Sequence, residues 1–320
     1  MKKHELYLLL LIGLPYFVGA QKNDNTASFR DLKAHRYVRF NYDNDYFASR
    51  DQDYTQGYNL ELVSPGLRRN PMNKLLVRPK KSDNKFGISL EHLGYTPIDI
   101  KSASVQYGDR PFAAALMLKS FALAIDTVNT SRLSSLFSIG VIGPGALGKE
   151  VQVAFHKVID NTIPEGWQNQ IRNDVVLNYE VSYEKQLVRY RDLFSLQTNT
   201  TLRAGTLFTN AGIGATTTFG IINGPFSVIK TKKRFLLYGY SKSMLNVIGY
   251  DATLQGGLFN RTSPYTIENS DIERFTAQVN YGIVFQIKSL YLEYSRAVIT
   301  REFEAGHSGK WGGVKVGLSY

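Results

Sequence analysis

From Arg274 to Gln286 the chain alternates, with Phe275, Ala277, Val279, Tyr281, Ile283 and Phe285 on one parity and Thr276, Gln278, Asn280, Gly282 and Val284 on the other. A period of two is the signature of an extended strand with one greasy and one polar or small face. The rhythm recurs in Val38, Phe40, Tyr42 against Arg39, Asn41, Asp43, and in Tyr58, Leu60, Leu62 against Gly57, Asn59, Glu61. It returns in Tyr179, Val181, Tyr183 against Asn178, Glu180, Ser182. At the C-terminus, Val314, Val316, Leu318 and Tyr320 alternate with Gly313, Lys315, Gly317 and Ser319, an aromatic-ended closing strand. Roughly a dozen such segments are separated by polar stretches, among them Ser64 to Asn84, Asn161 to Asn173 and Arg261 to Glu273, which read as loops rich in Gly, Pro, Asn and charge. The expectation is an all-β, antiparallel fold in one domain.

Alternation alone does not separate a soluble sandwich from a membrane barrel. The N-terminus does. Lys2 and Lys3 precede an apolar run from Leu6 to Val18, and Gly19-Ala20 then offer a small-residue exit. Residues 1–20 therefore read as a signal peptide and 21–320 as the exported domain. No later window holds the roughly 18 uninterrupted apolar residues that a helical span requires. Export combined with alternation points to a transmembrane antiparallel β-barrel of the bacterial outer membrane, apolar toward lipid and polar toward the lumen. The 20 Tyr and 18 Phe suit the aromatic belts of such a barrel.

The chain has no cysteine, which argues against disulfide staples, thiol chemistry and thiolate metal sites. Its formal charge is +11, of which the leader supplies about +1. Nucleic acid is an improbable partner for an exported protein, so phosphorylated lipid headgroups are the natural anionic one. Surplus surface lysine explains the charge equally well.

One segment breaks the strand rhythm. From Lys149 to Asp160, Val151, Phe155, Val158 and Ile159 fall at helical spacing, with Gln152 and His156 four residues apart on another face. The preceding Gly143-Pro144-Gly145-Ala146-Leu147-Gly148 has the spacing of a dinucleotide fingerprint. That pattern has meaning only within a βαβ unit, so a sharp strand-to-helix turn is the better reading. His307-Ser308-Gly309 invites comparison with outer-membrane phospholipase A. It lacks the asparagine and the downstream Ser-Arg-Ser of that enzyme, and a loop histidine is expected there. Asp43-Asn44-Asp45 followed by Asp51-Gln52-Asp53-Tyr54-Thr55 is a dense oxygen cluster of the kind calcium takes. An EF-hand counted from Asp43 fails, since its Gly and Glu positions hold Ala48 and Tyr54. Of the five histidines, His4 leaves with the leader, and His35, His92 and His307 fall near strand ends. His156 on the inserted helix is the candidate general base.

Taken in order, several motifs resemble the outer-membrane lipid A 3′-O-deacylase family. They are Asn44-Asp45, Asp53-Tyr54-Thr55-Gln56-Gly57, Gly108 to Ala113, Ile139 to Pro144, Gly148 to Gln152, His156 and Gly166 to Gln170. They cover about the first half of the exported chain, and the second half matches only as barrel strands. The resemblance implies a twelve-stranded barrel with a calcium-dependent acyl hydrolase site at its outward end. Asn44, Thr55, Lys101 and His156 match its catalytic positions and Asp45 a metal position, with a one-residue gap needed before Lys101. An acidic contact after the histidine falls on Asp160 or Glu165.

With no serine or cysteine nucleophile, His156 is expected to deprotonate water directly, and Ca2+ held partly by Asp45 to polarise the acyl carbonyl. Thr55 shares strand parity with Gly57, Asn59 and Glu61, so it is expected on the polar face with them. Lys101 is expected to pair with a lipid A phosphate or to help hold the oxyanion, and Asn44 to orient the base or the water. The partner is then lipid A or lipopolysaccharide, met by a monomer. Two other readings stay open: a hydrolase of other lipids on the same scaffold, and a non-catalytic barrel acting as a pore or structural protein.

Overall fold

The computed structural model describes residues 34–48, 53–79, 82–224, 226 and 235–320; the expected leader and the Asp51-Gln52 pair fall outside them. Twelve strands follow one another: β1 (Tyr37–Asn44), β2 (Asp53–Val63), β3 (Asp83–Thr96), β4 (Ala113–Asp126), β5 (Ser131–Ile142), β6 (Asp174–Tyr190), β7 (Phe194–Gly205), β8 (Phe208–Ile221), β9 (Phe235–Asp251), β10 (Phe275–Ile287), β11 (Leu290–Ile299) and β12 (Gly309–Ser319). Each pairs antiparallel with the next, and β12 pairs with β1, so the sheet closes into a barrel with no free edge. The alternating stretch expected over 274–286 is β10, and the aromatic-ended terminus is β12. The Ser64 to Asn84 loop contains two 3-10 turns, Pro65–Arg69 and Pro71–Lys74, before β3 begins at Asp83.

The alternation decides which side each residue takes. In β1, Tyr37, Arg39, Asn41 and Asp43 are buried, while Val38 and Phe40 are exposed. Across the wall the same outward parity presents Leu60, Leu90, Leu118, Ile139, Leu177, Leu202, Ile213 and Leu245. That is a continuous apolar band of the kind hydrocarbon requires. The inward parity carries charge, and it is paired. Arg39 meets Glu61 at 3.3 Å, Arg203 meets Glu180 at 2.7 Å, and Lys119–Glu91 and Arg132–Glu184 are close ion pairs. Glu293 receives Lys315 at 2.8 Å and the hydroxyls of Tyr240 and Tyr291 at 2.6 Å each. A buried ion is tolerable only when such partners replace its water.

Apolar clusters lie within the lumen near both ends, one including Tyr37, Phe121, Tyr238 and Tyr291, the other Tyr54, Tyr95, Met117 and Trp311. Four long connections, 97–112, 143–173, 252–274 and 300–308, gather at the end away from the described chain termini, against the single long described connection 64–82 at the other end. In a closed barrel of this type the longer loops mark the outward end. Everything that builds the candidate site is found there.

Glu293→Ala removes one carboxylate from a cation and two phenols at once. It should cost roughly 3–5 kcal/mol of barrel stability, read from the urea midpoint in lipid vesicles. Glu273→Ala, which breaks the exposed Glu273–Arg301 pair, should cost no more than about 1 kcal/mol.

Candidate active site

The inserted helix, α1 (Gly148–Val158), is aimed by the chain that leads into it. Gly143 sits at φ +106°, and a Cβ there would lie 2.6 Å from the backbone of Arg172 and Asn173, so the turn out of β5 admits only glycine. Gly148 abuts the Ala114 methyl and the Trp167 ring, where a Cβ would come within 2.4 Å and 2.7 Å. The glycines make the strand-to-helix turn, and the flanking strands β5 and β6 pair antiparallel, which leaves no βαβ unit for a dinucleotide. A compact apolar cluster of Phe112, Ala114, Ala146 and Trp167, with Leu116 and Val141 beside it, fixes the segment to the wall. Ala114 and Leu116 share the parity of lipid-exposed Leu118, so α1 docks on the outer face of the barrel, not in its lumen. Phe155 of α1 reaches Tyr42 of β1 with ring centroids 5.9 Å apart.

Beneath this helix the wall departs from its rule. Tyr42 is stacked on Tyr58 at 5.0 Å, and Tyr58 faces His92 at 6.1 Å, in one hydrogen-bonded row of outward positions. Asn44, His92 and Thr96 lie on the same outward parity as Phe40 and Leu90, yet all are buried. Between Asp53 and Gln56 the register of β2 against β3 slips by one residue. This bulge takes Thr55 out of step with Gly57, Asn59 and Glu61, contrary to the expectation of a shared polar face. Its hydroxyl meets that of Thr96 at 2.6 Å, and its carbonyl accepts from the Asn44 amide. The Asn44 side-chain oxygen accepts in turn from the Tyr46 N–H at 2.7 Å. Asn44 and Thr55, nominated from sequence, are therefore joined directly.

His156 is 4% exposed, and its Nδ1 donates to the main-chain carbonyl of Thr162. A carbonyl can only accept, so Nδ1 carries a proton, and in the neutral imidazole the lone pair then falls on Nε2, the tautomer a general base needs. Asp160 and Glu165, the candidates for the acidic contact after the histidine, are both exposed. One turn earlier, Gln152 accepts at Oε1 from the Trp167 indole at 2.7 Å, while its fully buried Nε2 has no protein partner among the described residues. Gln56 Nε2 on the wall is likewise buried without one. Both glutamines belong to the outer side of the wall, and an unmatched buried amide donor is what a carbonyl or oxyanion ligand would take. Sequence reading noted Gln152 beside His156 but gave neither glutamine a role. What marks His92 and Thr96 in the sequence is a polar residue on the lipid parity of a strand.

Asp45 is completely buried at the start of a 3-10 turn, Asp45–Ala48, directly after Asn44. Among the described residues no group of three His, Asp or Glu side chains could hold a metal by themselves. A cation near Asp45 would have to draw on amide, hydroxyl and main-chain oxygens as well, a donor set that suits calcium. Lys101 is exposed in the 97–112 connection, with no side-chain bond to the others. That connection nevertheless braces the site, since Glu165 N–H donates to Ile100 at 2.9 Å and Gly166 packs against Ser102. His307 lies in the loop before β12, away from α1 in the chain.

The sequence profile of a family described as outer membrane protein LpxR matches residues 6–320. Among solved structures, LpxR from Salmonella typhimurium is similar at 20% identity with a TM-score of 0.73, over 89% of this chain and 100% of that one. The β domain of the Bordetella autotransporter BrkA is also similar, at 8% identity and a TM-score of 0.47, over 90% of this chain and 100% of that one. No curated protein sequence matches the chain significantly.

Gly148→Val should lift α1 from the wall, because Ala114 and Trp167 leave its side chain no room. Limited proteolysis should then cut within 143–173 far faster, while heat-dependent gel mobility of the barrel stays as in the parent. Unchanged protection of the segment would contradict this packing.

Proposed function

This chain belongs to the outer membrane protein LpxR family, and on that premise we propose that it is a calcium-dependent lipid A 3′-O-deacylase of the outer membrane, acting as a monomer. The observation that carries the reading is the helix held against the lipid-facing side of the wall, with a buried histidine whose free nitrogen is Nε2. A lipid in the outer leaflet reaches that surface without leaving its membrane. A second argument favours catalysis over a pore, since ion pairs and apolar clusters fill the lumen at several levels.

In this reading His156 Nε2 takes a proton from water, and that water attacks the acyl carbonyl. The Thr162 carbonyl holds the ring in the required tautomer through Nδ1. As the carbonyl oxygen gains charge, the spare N–H donors of Gln152 and Gln56 are the groups poised to receive it. The proton on His156 then passes to the departing sugar oxygen, giving a free hydroxyl and a carboxylic acid. Asn44 fixes the Thr55 backbone, and Thr55 the Thr96 hydroxyl, so these residues keep the wall side of the site in place. A bound calcium ion, held by Asp45 with neighbouring oxygens, would supply Lewis-acid polarisation of the carbonyl. Lys101, exposed on the outward loop, suits contact with a lipid phosphate better than contact with the reacting carbonyl.

Mass spectrometry of lipid A incubated with the purified protein tests the reading. Loss of one 3′-linked acyl or acyloxyacyl group is expected, stopped by a calcium chelator and restored by calcium rather than zinc. His156→Asn should lower the rate by about 10²–10⁴-fold without changing barrel mobility, and His307→Asn should be nearly silent. An unchanged lipid A mass in excess calcium, or full turnover in excess chelator, would refute the corresponding part.

A further inference from the structure

The outer wall over β8–β11, across β12 from the candidate site, holds a groove of about 370 Å³ that the reaction described above does not use. Gly239 and Ser241 of β9 form its floor, Phe219 and Thr217 of β8 one side, and Tyr281, Ile283, Tyr294 and Arg296 the other. Its floor is low because two successive outward positions of β9 carry small side chains. Its surroundings are greasy, with Phe219 and Ile283 well exposed on the lipid parity. The solvent of such a surface is hydrocarbon, so the occupant is a lipid chain. The question is which lipid supplies it.

Strand register answers by continuity. One row of outward positions runs Phe219, Gly239, Ile283, Tyr294, Val314, Tyr42. The adjacent row runs Thr217, Ser241, Tyr281, Arg296, Gly312, Asn44. The groove and the candidate active site are thus two stretches of the same pair of rows, separated by β12 alone. From β11 to β1 is two strand spacings, roughly 10 Å. Over β12 lies Phe47, whose Cβ would be 2.6 Å from a Cβ at Gly312, so glycine there admits the Asp45–Ala48 turn onto the outer face. The Phe47 ring touches Tyr294 on the groove side at 6.4 Å and Tyr42 on the site side at 5.9 Å. Arg296 donates to the Phe47 carbonyl at 2.6 Å, its one hydrogen bond among the described residues. Its other N–H donors remain for an anion. Arg296 and Tyr281 stand on the row nearer the outward end, where a lipid's charged headgroup lies.

We infer that this groove seats a second acyl chain of the same lipid whose ester lies between Asn44 and His156, with Arg296 pairing an anionic group on that lipid's head. The inference rests on the proposed deacylase reading. It makes the β8–β11 wall a determinant of substrate choice, favouring lipids with several chains and a phosphorylated head over single-chain esters.

Gly239→Leu tests it. A Cβ at Gly239 meets only the Gly282 carbonyl at 3.7 Å, and leucine is at home facing lipid, so the variant folds while its side chain fills the groove. In mixed micelles with fully acylated, bisphosphorylated lipid A, KM should rise several-fold for Gly239→Leu, well beyond any change in kcat. Arg296→Gln should raise KM for the bisphosphorylated lipid but not for the same lipid stripped of its phosphates, a distinction that mere disturbance of the Phe47 turn would not make. Equal KM for parent and Gly239→Leu in an active enzyme would overturn the inference and leave the deacylase reading intact. Loss of a co-purified phospholipid from Gly239→Leu with KM unchanged would assign the groove to bulk lipid, and equally overturn it. No hydrolysis by the parent protein would instead remove the functional reading, and the substrate assignment with it.

Discussion

A strand in a membrane barrel has two solvents, and each residue must suit the one its parity gives it. Hydrocarbon outside offers no hydrogen bonds, so outward positions are apolar almost throughout. The lumen accepts charge, provided each charge is matched, as Glu293 is by Lys315 and two tyrosines. At the candidate site this rule is broken at several neighbouring positions. Asn44, His92 and Thr96 take lipid-facing positions at the outward ends of β1 and β3, and bare hydrocarbon over them would cost several kcal/mol per unmatched group. The segment 143–173 docks on this side of the wall, with Trp167 and Ala146 against Ala114 and Leu116 of β4 and Phe155 of α1 on Tyr42 beside Asn44. The inserted helix and the polar positions therefore share one side of the wall, and the catalytic histidine candidate belongs to the docked segment.

Much of this was legible in the chain. Alternation with a period of two survives averaging over sequence, because every turn of the pattern repeats the same choice of solvent; hence β10 and β12 fall where Phe275 and Val314 predicted them. The helix announced itself by a change of period from two to about 3.6 between Lys149 and Asp160. What the sequence could not yield were features that depend on one residue of register. Thr55 counts onto the lumen parity from Gly57, but the bulge between Asp53 and Gln56 inserts the residue that cancels the count. Nor could the sequence show the partner of His156 Nδ1, which is the backbone carbonyl of Thr162, a group every residue carries. Lys101, reached only through a gap, stays exposed and apart from the bonded cluster.

The same solvent argument links chemistry to substrate choice. A site on the outer face receives its lipid by diffusion in the leaflet, with the head already at the outward loops and the chains already along the strands. In the proposed reading the membrane then supplies much of the orientation, and the protein holds the ester between His156 and the wall. Rows of strand register extend that hold sideways, from Asn44 and Tyr42 through Gly312 and Val314 to the groove on β9. Phe47 packs between the two regions, so a change at either is felt through a single side chain.

A crystal structure of the His156→Asn protein with bound lipid A tests the central claim most directly. The account predicts the 3′ ester on the outer face of the wall, its carbonyl beside Gln152 and Gln56 and within reach of position 156, with the acyl chains running down the lipid-facing strands. Lipid A seated in the lumen, or an ester on the far side of the barrel from α1, would contradict it.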